Sequence, residues 1–143
     1  MTARNLVAAR ALIECATETE VIELHELLLR HEQAESLADR IETDLQYHQA
    51  IADMSGNPVL CVIFGAIKPF TADIMFRSHS DPRVHAVGDP LHGEIFECIS
   101  VGDADGAEAA MRSHLELALQ LYGHDVDRPR SEVVRNRESL LEN

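Results

Sequence analysis

Between Leu37 and Ser55 the core-type residues recur at helical spacing, and two metal-ligand types sit in the same stripe: Leu37, Ile41, Asp44, His48, Ile51 and Ser55. Asp44 and His48 are four residues apart, so both side chains leave one face of the helix about a turn apart, as a chelating pair does. Two later helical stripes carry one histidine each. His92 shares a face with Ile95, Phe96 and Ile99, and His114 shares one with Ala107, Met111, Ala118 and Leu121. Three inward stripes thus bring together one carboxylate oxygen and three imidazole nitrogens. Inside a helical bundle that set can surround a single divalent cation and leave positions open for water or a small ligand.

The 143 residues suit one domain with its own core. The formal net charge of -13 repels phosphate backbones and argues against nucleic-acid binding by this polypeptide alone. Cys15, Cys61 and Cys98 are odd in number and widely spaced in apolar surroundings. They read as reduced core thiols of a cytoplasmic protein. Arg4 and Arg10 interrupt any signal-peptide run. The longest apolar stretch, Val59 to Phe76, is broken by Lys68 and Pro69, and so reads as a buried helix and not as a membrane span.

The punctuation of the chain predicts an all-α bundle of six to seven helices. A first helix covers Leu6 to Ile13. Thr17 to Glu20 fits a capping box for the second, whose inner stripe is Val21, Leu24 and Leu28. The third, from about Ala34, carries Asp44 and His48 and stops at Ser55-Gly56, where glycine suits a left-handed cap. Asn57-Pro58 opens the fourth, which is apolar nearly all round, is expected at the centre of the bundle and should kink at Pro69. Breaks at Ser80-Asp-Pro82 and Gly88-Asp-Pro90 predict a loop or short helical piece over 79–90 and a fifth helix from about Pro90 to Ser100, with an earlier start left open. The polar turn from Gly102 to Gly106 offers an aspartate to cap the sixth, which continues to about Tyr122. No stretch alternates with period two, so no sheet is expected. The charged segment 125–143 reads as a flexible tail.

Three motifs, in this order, closely resemble the FCD effector-binding domain of FadR-subfamily GntR transcription regulators. They are Asp44-Leu-Gln-Tyr-His48 with its continuation to Asn57, His92-Gly-Glu-Ile-Phe-Glu-Cys-Ile, and the run from Gly102 to His114-Leu. The resemblance covers about residues 4 to 122. It implies an antiparallel helical bundle that works as a homodimer and senses a small, usually carboxylate-bearing metabolite. It also implies a winged-helix DNA-binding domain ahead of the bundle, which this chain does not include, so the chain is expected to be the effector domain (1–124) of a longer regulator. In the metal-containing branch an Asp and three His hold one divalent ion, often zinc or nickel, and these match Asp44, His48, His92 and His114. The family's usual Arg and Glu in the first helix have no clear match near Arg4 and Asn5.

The remaining histidines, His25, His31, His79, His85 and His124, read as surface or loop residues, with His85 as the substitute ligand if His92 faces away. Arg77 offers a guanidinium fork for an effector carboxylate; the plainer role is a cation favoured at a helix C-terminus. Two rival functions are a metal-dependent enzyme and a purely structural metal site. Against the first, no inward carboxylate or spare histidine is placed as a general base, and there is no Glu-x-x-His pair of the di-iron bundles.

Overall fold

The computed structural model describes residues 16–79 and 82–122, with side chains over 16–76 and 87–120. Among the described residues there are five helices and no strand: α1 (Glu18–Glu32), α2 (Leu37–Met54), α3 (Pro58–His79), α4 (Pro82–Ser100) and α5 (Ala104–Tyr122). The expected first helix and the segment 125–143 lie outside the described residues.

The helix boundaries follow local hydrogen-bond chemistry. Thr17 and Glu20 form the capping box: the Glu20 amide donates to the Thr17 hydroxyl, and the Thr17 amide donates to the Glu20 carboxylate at 2.7 Å. The start of α2 lies three residues beyond the expected Ala34, because the Ser36 hydroxyl takes the Asp39 amide at 3.0 Å and sets the N-cap there. Gly56, with φ of 65°, turns the chain out of α2 in the left-handed region that a side chain disfavours. Asn57 Oδ1 then accepts from the Val59 amide at 3.0 Å and opens α3. Asp103 repeats the device at α5, accepting from the Gly106 amide at 2.9 Å.

The helix expected from about Pro90 takes the earlier start, at Pro82. From Pro82 onward the segment 79–90 is helix, and α4 runs through Gly88 and Pro90 to Ser100. Pro82 occupies the first helical position, where a missing N–H costs nothing. Pro90 inside a helix costs about 3 kcal/mol, and packing of α4 along α5 and across α1 outweighs it. Gly88 is buried, so the helix approaches its neighbours closely at that turn.

Connections of three or four residues between α1 and α2, α2 and α3, and α4 and α5 return the chain on itself, so these pairs pack antiparallel. Leu24 and Leu28 of α1, Tyr47, Ile51 and Met54 of α2, Leu60 of α3, Ile95 and Ile99 of α4, and Ala107, Met111 and Leu115 of α5 form one core. Each large aliphatic side chain buried there contributes about 1.5–3 kcal/mol.

The α3 helix departs from its expected central place. Leu60, Phe64 and Thr71 face inward, but Val59, Val62 and Phe70 are 62, 71 and 73 % exposed. It packs chiefly on α2 and leaves an apolar stripe open. Apolarity all round predicts burial without saying by what, and among the described residues the exposed side of α3 has no helix packed on it.

Candidate metal centre

The predicted ligands converge. α2 presents Asp44 and His48, α4 presents His92 and α5 presents His114, with one donor atom from each lying within 4.8 Å of the others. His48 Nε2 is 3.1 Å from Asp44 Oδ1 and 3.2 Å from His114 Nε2, while His92 Nε2 is 3.5 Å from Asp44 Oδ1. Donors bound to one ion at about 2.0–2.1 Å stand roughly 2.9–3.4 Å apart at octahedral or tetrahedral angles. The three spacings are close to that. Asp44, His48 and His92 are buried, and His114 is partly exposed. Nδ1 of His48, both ring nitrogens of His92 and Nδ1 of His114 are shielded from water with no hydrogen-bond partner among the described residues. Buried nitrogens of this kind fit ligand or second-sphere roles better than a dry core.

The electrostatics suit a cation. Burial pushes the pKa of His92 below the ordinary histidine value, against the opposing pull of Asp44. His114 is held well below it, first by burial and then by the neighbouring His92 and His48. Both are therefore neutral at pH 7 and carry free lone pairs, so a metal has no proton to displace from them. Tyr47, fully buried, has its phenol pKa raised by burial and by the Asp44 charge. Its hydroxyl donates to the His92 carbonyl at 3.0 Å and pins α2 to α4 beside the cluster.

Behind His92 lies a second polar group. His31 of α1, expected at the surface, is fully buried, and its ring packs on that of His92 with centroids 4.7 Å apart. The Thr43 hydroxyl donates to the Asp39 carbonyl at 2.7 Å, so at its 3.1 Å contact with His31 Nδ1 it acts as acceptor and Nδ1 carries the proton. His31 Nε2 is 3.6 Å from Asp89 Oδ1, and Arg40 donates to Asp89 Oδ2 at 3.2 Å. Burial works against a charged His31, but Asp89 and then Asp44 outweigh it and the pKa is raised. His31 continues the Leu24 and Leu28 stripe at i+7 and i+3, which is the signal that would have placed it inward. Asp89 carries none, because its segment reads as a loop or short helical piece with no defined face.

Of the other sequence candidates, His25 is exposed and stacks on Phe96 at 4.8 Å. The side chains of Arg77, His79 and His85, and all of His124, lie outside the described residues. His92 faces the cluster, so no substitute is needed. Cys61 and Cys98 are free thiols, half-buried, while Cys15 is outside the described residues.

Comparison with known proteins identifies the type of domain. The FCD domain family matches residues 6–117. The HTH-type transcriptional repressor NanR of Edwardsiella tarda (strain FL6-60) is 30 % identical over 112 residues, which cover 71 % of this chain and 40 % of that protein. The chain thus spans well under half the length of this relative.

Proposed function

We propose, since the chain belongs to the FCD domain family, that it is the metal-dependent sensing domain of a GntR-family transcription regulator and that its effector is a small carboxylate metabolite. The convergence of Asp44, His48, His92 and His114 from three helices carries this reading. A divalent ion, with zinc or nickel suiting a set of three imidazoles and one carboxylate, would supply a positive centre for an effector carboxylate. Asp44 offsets one of its two charges and the neutral histidines none, so the centre keeps a net attraction for one anion. The same ligands join α2, α4 and α5, and a ligand that favours one arrangement of these helices shifts their populations by its differential affinity. Coupling of about 1–3 kcal/mol is ordinary for such a link.

DNA binding belongs, in this reading, to a winged-helix domain outside this chain; the related NanR is named as a transcriptional repressor of the HTH type. The protein works as a cytoplasmic homodimer. The exposed stripe of Val59, Val62 and Phe70 on α3 supports a second copy as its cover, since apolar surface of this kind favours burial.

Metal content of the purified protein, with His48→Ala and His114→Ala variants, and thermal melts with a panel of small carboxylates test the reading. About one divalent ion per chain, lost in both variants, and a melt raised by a particular acid are expected. No metal after reconstitution, with both variants unchanged in ligand response, overturns it; chemical conversion of the acid replaces a sensor with an enzyme.

A further inference from the structure

The His31–Asp89 pair borders the ligand cluster without belonging to it, and the sensing role assigned above makes no use of it. We infer that His31 and Asp89 are positioning residues for the metal ligand His92, holding its ring in the orientation that presents a nitrogen to Asp44, His48 and His114. The inference rests on the metal-binding reading. Three observations carry it.

First, the pair is rigidly placed. His31 is fully buried with its Nδ1–H given to Thr43, whose own proton is committed to the Asp39 carbonyl, so the ring cannot flip without losing a buried hydrogen bond. Asp89 is anchored from the other side by Arg40 at 3.2 Å. Second, the pair borders His92 directly. Donor atoms of His31, Asp89 and His92 lie within 4.8 Å of one another, and the His31 ring lies against that of His92 at 57°. Third, His92 needs an orienting partner. Its Nε2 stands 3.5 Å from Asp44 and its Nδ1 is buried with no hydrogen-bond partner among the described residues, whereas a ligating imidazole is ordinarily held through its second N–H by a carboxylate or carbonyl. Asp89 brings a carboxylate oxygen within 4.8 Å of a His92 ring nitrogen, and His31 and Arg40 fix where it stands.

A second cation on His31, Asp89 and His92 is the competing role. The Arg40 guanidinium already occupies one Asp89 oxygen, which disfavours it.

The test uses zinc alone, measured by competition with a chromophoric chelator, together with the visible spectrum of the cobalt(II)-loaded protein and the melt of the metal-free protein. Asp89→Asn and His31→Phe are expected to weaken zinc binding about 10–100-fold and to alter the cobalt spectrum. His31→Gln, whose amide reaches the place of Nε2, should recover part of the loss. Wild-type affinity and spectrum in both variants, whether or not the metal-free melt falls, would overturn positioning in favour of a packing role. Two zinc ions in the wild type and one in Asp89→Asn overturn it in favour of ligation. A wild type that takes up no zinc removes the metal-binding reading itself, which separates that failure from this one.

Discussion

Replacing Asp44 by Asn separates the metal from the fold, because the two effects differ in size and need not share a sign. Asp44 is 3 % exposed and faces His48 and His92 at 3.1 and 3.5 Å. Without metal, the isosteric amide still offers an oxygen to His48 and removes a buried carboxylate whose neighbours His92 and His114 are neutral, so little stability is expected to be lost. With metal, the loss is large. Zinc held at a thousand times its Kd stabilises the folded state by about 4.1 kcal/mol. Unfolding entropy for 143 residues is about 0.3 kcal/mol/K, so this raises the melting midpoint by about 14 °C. Exchanging the charged oxygen for a neutral one, at a hundredfold cost in affinity, would leave about 1.4 kcal/mol and a rise of about 5 °C at the same zinc concentration. Differential scanning calorimetry of both proteins, with zinc and with chelator, reads these four midpoints. A zinc-dependent rise in D44N equal to that of the wild type would refute Asp44 as a ligand. A metal-free midpoint many degrees lower would refute the claim that its carboxylate is there for the ion.

Tyr47→Phe removes the hydroxyl bonded to the His92 carbonyl and is expected to cost about 0.5–1.5 kcal/mol in urea unfolding; no loss would mean that this bond does not tie α2 to α4. In the metal-free protein His92 and His114 have folded pKa values below the unfolded value of 6.5. Their contribution is therefore complete above that pH and is lost as pH falls below 6.5 toward the folded values. His31, with a raised pKa, runs the other way, contributing fully below 6.5 and losing that contribution as pH rises through its folded value. Stability measured by urea from pH 5 to 8 should fall at the acid end in the wild type and less so in His114→Ala. Val62→Asp or Phe70→Asp on the open face of α3 should yield a monomer by analytical ultracentrifugation with helicity unchanged; a dimer in both variants places the subunit contact elsewhere.

Helical periodicity and capping residues were enough to determine α1, α3 and α5, and α2 except for its start at the Ser36 cap, because Thr17, Asn57 and Asp103 act on amides two or three residues away. They also placed Asp44, His48, His92 and His114, the residues that converge in the structure, on inward faces. Each lies on an apolar stripe, and the face of a helix is a local property. Two features were decided only by tertiary structure. Pro90 and Gly88 punctuate the sequence as a break, yet α4 passes through them because contacts with α5 and α1 outweigh a local penalty that the sequence alone makes look decisive. The early part of that helix then delivers Asp89 to His31, two residues 58 positions apart whose pairing no local spacing encodes. The open face of α3 is the converse case. Its apolar composition requires a cover, but only the packing of the other helices reveals which side they leave bare.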